Sequence, residues 1–261
     1  MKQVLLYLSL LMLPVFSWAQ TEEIAVDTTR QVRIDPSCKF RPKQLIAPAL
    51  LVGFGAWGLA QDSPTDWVEG KAFRELNPNH NKCKADEYLQ FVPTAAHLFL
   101  GFGVKSKHNF RDRFLASATA NLLMAGITNT VKYTVKEQRP DSPKQNSYFS
   151  GHTATAFTGA ELMRIEYGWA YGSAAYAVAT SVAFLRVYNK RHWVGDVLTG
   201  AGVGILCADA GYWMLPVWKR LFKLEDKGLM ERKKENKRVI VAVPFYQQED
   251  KAAGLSCSIV L

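Results

Sequence analysis

Apolar stretches of helical length, divided by short polar or charged segments, set the pattern of this 261-residue chain. They cover residues 44–60, 88–104, 114–131, 153–167, 169–184 and 193–218. Nearly uncharged runs of this kind predict helices with apolar surroundings on most sides, as in a membrane. The run 153–167 is the weakest, because Glu161, Arg164 and Glu166 interrupt it. Gly200, Gly202 and Gly204 predict close helix contact in the last run, and Trp169, Trp193, Trp213 and Trp218 suit membrane–water interfaces. The pattern predicts an all-α, membrane-embedded helical bundle of about five to six helices. Beyond Arg238 the chain alternates apolar and polar residues, and its two ends could pair as a short β-hairpin about a turn from Asp250 to Gly254.

The chain divides into four parts. Residues 1–19 carry one basic residue, an apolar run from Val4 to Phe16, and small residues at Ser17 and Ala19. That composition predicts a secretory signal cleaved after Ala19, with retention as an N-terminal anchor as the alternative. Residues 20–43 form a polar arm, 44–218 the helical domain, and 219–261 a basic segment with the C-terminal tail.

Charge decides where the bundle sits. Formal net charge is +9 and the isoelectric point about 9.3, but no basic stripe with interleaved aromatics exists, so nucleic acid is excluded as a partner. Mean hydropathy of −0.08 is low for six spans and keeps a soluble secreted form in view. Residues 105–113 and 219–238 are strongly basic, however, and the positive-inside rule puts both on the cytoplasmic side. One span after the first, Lys132 and Arg139 then lie outside, and so do Arg186 and His192. The start of the chain fits less easily. Either residues 44–60 re-enter without crossing, or the N-terminal arm stays cytoplasmic. Cys38 and Cys83 flank that segment and could form a disulfide only if both face an oxidising compartment. Cys207 suits packing in an apolar helix, and the four cysteines have no zinc-type spacing, so no metal site is expected.

Three polar islands interrupt the apolar pattern. The first is Lys132, six residues, then Arg139-Pro140; the second is Ser150-Gly151-His152; the third is Arg186, five residues, His192, three residues, Asp196. A lysine offers a point charge and an arginine a planar fork for phosphate oxygens. Ser150 can cap the following helix, whose first N–H groups make an anion site, with His152 beside it to pass a proton. His192 and Asp196, four apart, share a helix face, and the carboxylate would fix the tautomer and leave the other ring nitrogen nucleophilic. Each island alone reads as well as a solvated anchor, a simple cap or a surface ion pair. Their occurrence in order does not.

Together the islands resemble the three-part signature of the type-2 phosphatidic acid phosphatase and haloperoxidase superfamily, K-x6-RP, PSGH and SR-x5-H-x3-D. Phe149 stands where that family usually has proline, and Leu185 where it usually has serine. The resemblance implies a metal-independent phosphatase with no cofactor. In it His192 attacks phosphorus and carries a phosphohistidine, Asp196 orients His192, and His152 protonates the leaving oxygen and then activates water. Lys132, Arg139, Ser150, Gly151 and Arg186 would bind the phosphate oxygens. The expected substrate is a membrane lipid phosphate, with lipid A phosphate or undecaprenyl diphosphate favoured because the site is expected to face the periplasm from an inner-membrane, multi-pass protein. Phosphatidylglycerol phosphate or phosphatidic acid, a soluble secreted acid phosphatase, a vanadium haloperoxidase and a non-enzymatic membrane protein are the rival readings. Residues 62–87 read as a lid over the site, and His80, His97 and His108 as ordinary loop or interface residues.

Overall fold

The computed structural model describes residues 38–60, 82–224, 239–247 and 252–260. The chain divides into two compact units between Trp218 and Lys219. The first is helical. A 3-10 turn, Pro42–Leu45, leads into α1 (Ile46–Ala60). Then come α2 (Ala85–Leu89), α3 (Val92–Phe99) with a 3-10 extension Leu100–Phe102, α4 (Phe110–Thr134), α5 (Gly151–Tyr167), α6 (Trp169–Tyr188) and α7 (Val194–Leu221).

The described residues therefore hold one helix more than the hydropathy pattern suggests. The run 88–104 is broken at Gln90 and Phe91, because Pro93 sits in the first turn of α3. Proline lacks the N–H that a continuous helix would need there and fits only a helix start.

In the second unit, β1 (Val239–Gln247) and β2 (Ala252–Val260) pair antiparallel. The expected hairpin forms, but its turn comes earlier than Asp250 to Gly254: Ala252 already pairs with Gln247, and Gly254 with Phe245. Pro244 is tolerated in β1 because both strands of a two-stranded ribbon are edges.

Helix direction follows from the contacts along α7. The Gln44 amide donates to Asp209 at 3.4 Å, and the Phe40 ring meets Trp213 at 5.0 Å. Further along α1, a Cβ on Gly202 would strike the Pro48 carbonyl at 2.8 Å, and one on Gly58 would come within 3.9 Å of Gly195. As α1 rises, its partners on α7 descend, so the two helices are antiparallel from end to end. Residues 44–60 thus traverse the bundle rather than re-enter.

The broken pair α2–α3 also traverses it, from Asp86 beside Arg186 to His97 beside Tyr212. In α4, Thr119 accepts from Trp218 at 2.9 Å, and Lys132 reaches the opposite end. By contrast α5 runs parallel to α7. A Cβ on Gly200 would lie 2.6 Å from the Ser150 carbonyl, and Gly204 lies against Ala154 and Thr158. Gly168, at φ 83°, makes the sharp reversal into α6 that a residue with a Cβ would resist.

The charges that made 153–167 a weak span are paired inside the bundle. Arg164 bonds Glu161, whose Oε2 also accepts from the Tyr176 hydroxyl at 2.5 Å. Glu166 accepts from the His108 backbone N–H at 2.6 Å, from His108 Nδ1 at 2.8 Å and from the Tyr212 hydroxyl at 2.8 Å. His97 Nε2 lies 3.0 Å from that same hydroxyl. His97, in α3, and His108, in the loop before α4, are therefore buried, partnered residues rather than ordinary loop or interface ones; burial forces each polar group to find a bond. His80 lies outside the described residues.

Cys38 Sγ is 4.0 Å from His108 Nε2, at the far end of the bundle from Cys83, whose backbone meets Asn189. Both are free thiols, and no disulfide joins them. Cys207 is buried beside Met124 and Phe149.

Among the described residues, three helices are long and apolar enough to cross a membrane: Pro42–Ala60, Phe110–Thr134 and Val194–Leu221. The outward faces of the first two carry exposed Leu50, Phe54, Trp57, Phe114, Leu122, Leu123 and Ile127. A contiguous apolar exterior of that kind needs an apolar surrounding.

Candidate active site

The three islands sit at helix ends on one side of the bundle. Lys132 is in the last turn of α4 and Arg186 in the last turn of α6. Ser150 caps α5, with Gly151 and His152 as its first residues. His192 precedes α7, and Asp196 lies in that helix's first turn. A Cβ at Gly151 would lie 3.9 Å from Lys132 Nζ, which brings the first two islands together. The third joins them through the backbone: Ser150 N–H donates to the Asp196 carbonyl at 3.1 Å. Gly200 permits this, since any side chain there would strike Ser150.

Asp196 Oδ2 is the most heavily bonded atom of the site. It accepts from Ser147 Oγ at 2.5 Å, from Trp193 N at 3.0 Å and from His192 Nδ1 at 3.4 Å. A carboxylate facing Nδ1 places the proton there and leaves Nε2 with its lone pair. Burial, only partly offset by Asp196, holds the His192 imidazole below its ordinary pKa, so it is neutral at pH 7. Neutral, buried and oriented, it has the properties of a nucleophile.

Ser150 Oγ accepts from Thr153 N at 3.4 Å and from Thr153 Oγ1 at 3.0 Å. Its own hydrogen is thereby left to donate elsewhere. Together with the free N–H groups that open α5, this makes a donor nest for an oxyanion.

The cations form a self-repelling cluster. Lys132, Arg139 and Arg186 act electrostatically on one another, and burial, reinforced by Arg186, depresses the pKa of Arg139. Burial first, then Arg186, push His152 down to about 4. An anion bound among these groups relieves all of these repulsions at once.

Arg186 is the most instructive member. Its Nη1 bonds Asp86 Oδ2 at 2.6 Å, yet its buried Nε has no hydrogen-bond acceptor among the described residues. A guanidinium held on one edge with a donor to spare is suited to a bidentate or lateral grip on phosphate. Arg139 is steadied by Asn146 at 2.8 Å through its Nε.

Sequence reasoning missed several of these supports. Asp86 and Asn189 hold the end of α6: the Asn189 side-chain amide accepts from Cys83 N at 2.9 Å and donates to Cys83 O at 2.7 Å. The described part of the expected lid, residues 82–87, therefore lies against the third island. Ser147 was also missed, although a buried serine three residues before Ser150 lies within reach of the same carboxylate. Phe149 packs in the core beside Tyr148, Met124 and Ala154, so the departure from proline serves packing and removes no charged group.

The PAP2 superfamily model matches residues 114–220. Over 137 residues the chain is 45% identical to a lipid A 1-phosphatase of Porphyromonas gingivalis, a match that takes in 50% of this chain and 31% of that relative's length. The chain thus spans about a third of the curated relative. A crystal structure of LpxE from Aquifex aeolicus is similar at 20% identity and a TM-score of 0.43, over 56% of this chain and 96% of that one. All three islands lie within the segment 114–220 that this family model matches.

Proposed function

We propose that the protein is a membrane phosphatase that removes a phosphate from a lipid headgroup, with lipid A 1-phosphate as the leading substrate and undecaprenyl diphosphate as the second. The convergence of Lys132, Arg139, Arg186, Ser150, His152 and His192 about one point, with Asp196 behind His192, carries this reading. Substrate choice is supported by the 45% identity to a protein named for lipid A 1-phosphatase activity. Seating in the inner membrane is supported by three helices long and apolar enough to cross it.

In the proposed cycle, the phosphate dianion settles among Lys132, Arg139 and Arg186 and accepts from the Ser150 hydroxyl and Gly151 N–H. His192 Nε2 attacks phosphorus, a nitrogen–phosphorus bond forms, and the bond to the leaving oxygen breaks. Asp196 stabilises the positive charge that develops on the ring. His152 gives its proton to the leaving oxygen, then takes one from the water that cleaves the phosphohistidine and releases inorganic phosphate. Burial and then Arg186 depress His152; a bound dianion offsets the Arg186 part, which raises its proton affinity when an acid is needed. The site works on the outer, periplasmic side. The basic segment 105–113 at the opposite end supports that orientation.

The test is phosphate release by detergent-purified protein, with chelator present, from lipid A, undecaprenyl diphosphate, phosphatidic acid, phosphatidylglycerol phosphate and an aryl phosphate. Release from lipid A that vanishes in His192→Ala supports the reading. Equal turnover by the variant overturns the mechanism, and activity on the aryl ester alone moves the protein to the soluble-type acid phosphatases.

A further inference from the structure

Beside the three islands the chain carries a second group of cations that the proposed cycle does not use. Lys82 Nζ lies 3.5 Å and Arg191 Nη1 3.3 Å from the same atom, Asp141 Oδ2. Two cations share one carboxylate oxygen, so the trio keeps a positive charge. The other oxygen, Asp141 Oδ1, is buried and meets no donor among the described residues, so it gives neither cation a second hold.

Backbone contacts fix each member to the edge of the candidate site. Asp141 stands two residues after Arg139, in a tight turn closed by the bridge between Arg139 and Ser142. The Arg139 N–H donates to the Lys144 carbonyl at 3.0 Å in the same turn. Arg191 directly precedes His192, and its N–H donates to the Arg186 carbonyl at 3.0 Å. Lys82 precedes Cys83, whose N–H and carbonyl bond the Asn189 side chain at 2.9 and 2.7 Å. The Trp193 indole donates to the Gln138 carbonyl at 2.8 Å and so ties the turn to the start of α7. Arg139, Arg186 and His192 thus each have a member of the trio next to them in the chain or bonded to their backbone.

Little commits these cations to Asp141. Their side chains are 49% and 38% exposed, and both separations exceed the roughly 2.7–2.9 Å of a tight charge-assisted hydrogen bond. Exposed pairs of this kind add little to stability. Neither side chain makes another bond among the described residues, so most of their N–H donors are available. An arginine fork and a lysine ammonium side by side are suited to phosphate oxygens.

We propose that Lys82 and Arg191, gathered by Asp141, form a second phosphate subsite, which takes the inner phosphate of a lipid diphosphate whose terminal phosphate fills the first. The proposal rests on the phosphatase reading for the identity of the first subsite. Adjoining subsites match two phosphates joined through one oxygen, whereas phosphates on separate carbons of a sugar headgroup are held apart. His192 Nε2 bonds the terminal phosphorus, and the bond from that phosphorus to the bridging oxygen breaks. The oxygen leaves with the electron pair as part of a lipid monophosphate, whose new charge meets Lys82 and Arg191.

The test uses full-length protein in detergent, with chelator, as wild type, Lys82→Gln/Arg191→Gln and Asp141→Asn. Turnover is compared on undecaprenyl diphosphate and undecaprenyl monophosphate, which share one tail. The ratio of kcat/KM, diphosphate over monophosphate, should fall about tenfold in the double variant, the scale of lost hydrogen bonds to charge. It should not fall in Asp141→Asn, which keeps both cations. A trio that merely staples the loop would make the two variants alike, so an equal fall in both, or none in the double variant, overturns the proposal. So does a loss on lipid A with two separated phosphates that the diphosphate does not share. A wild type that turns over lipid A but no diphosphate overturns it too, and leaves the phosphatase reading standing.

Methylenediphosphonate, whose bridge cannot be hydrolysed, is the second probe. Its Kd, read from the rise in thermal midpoint, should be about tenfold below that of orthophosphate in wild type, and that advantage should vanish in the double variant. Equal affinities in wild type overturn the subsite. If wild type hydrolyses no lipid, the phosphatase reading fails, and this comparison alone decides the second subsite.

Discussion

Asp86→Ala separates the group proposed to hold phosphate, Arg186, from the carboxylate that holds Arg186. Arg186 Nη1 and Asp86 Oδ2 are 2.6 Å apart, and the side chains are 8% and 2% exposed. Removing one partner of a buried pair leaves the other charge uncompensated and costs about 3–5 kcal/mol. At about 2–4 °C per kcal/mol for a domain of this size, the midpoint in detergent should fall by roughly 6–20 °C. Asp86→Asn keeps the shape and a neutral acceptor, and should lose less.

The second half of the experiment is a rescue. Orthovanadate, a phosphate mimic, is added to each protein. In wild type, Asp86 competes for Arg186; in Asp86→Ala the anion replaces the lost ion-pair partner of a guanidinium whose Nε has no acceptor among the described residues. A ligand that binds only the folded form stabilises it by about 2.7 kcal/mol at a hundredfold excess over its Kd. The rise in midpoint should therefore be larger in Asp86→Ala than in wild type at the same vanadate concentration, with binding about tenfold tighter, or roughly 1.4 kcal/mol. Equal rises in both proteins would show that Arg186 does not face the anion. An unchanged midpoint in the variant without vanadate would show that the pair is not buried in the folded protein.

Gly200→Ala should lower both stability and phosphate release, because its Cβ would lie 2.6 Å from the Ser150 carbonyl, a backbone atom with little freedom to move. Overpacking of this sort costs about 1–3 kcal/mol, and Gly126→Ala, with nothing within 4 Å, is the neutral control in the same melting and activity assays. His152, at about 4, and His192, also depressed, stay neutral in the folded state, whereas the unfolded chain takes up protons near the ordinary value of 6.5. Stability should thus be lost as pH falls below 6.5, and melting from pH 7 to 4 should show a shallower loss in His152→Gln; an equal slope would refute the assignment. Single cysteines at Lys39 and Lys144, in a background lacking native cysteines, should label from opposite sides of the membrane, because α1 traverses the bundle. Labelling of both by one impermeant reagent would contradict that traverse.

What the sequence disclosed and what it hid divide along the range of the interactions. The islands were legible because each is local: a lysine ending a helix, a serine capping one, a histidine and aspartate one turn apart. Their supports were not, since Ser147 meets Asp196 across 49 residues and Asp86 meets Arg186 across 100. Neither contact leaves a spacing to recognise. Hydropathy misjudged Glu161, Arg164 and Glu166 for the same reason, as it scores a charge without its partner. Pattern alone also left open whether residues 44–60 cross, because length and apolarity do not show direction; Gln44 beside Asp209 and Gly58 beside Gly195 do.

Helix direction also explains why those local signals occur where they do. α4 and α6 run toward the site and end there, while α5 and α7 begin there and run away. The ends of α4 and α6 carry the partial negative charge of the helix dipole, which favours cations, and Lys132 and Arg186 occupy those last turns. The starts of α5 and α7 carry the partial positive charge of their helix dipoles, which favours anions. Asp196 takes the start of α7, where its carboxylate accepts from Trp193 N, and the proposed phosphate site is at the start of α5. A sequence order of cation, cap with histidine, cation, then histidine with carboxylate is thus the order of successive helix ends met along an alternating bundle. The cationic side chains lean in from ends whose dipoles stabilise them, and a phosphate in the proposed site would rest against an end whose dipole stabilises it.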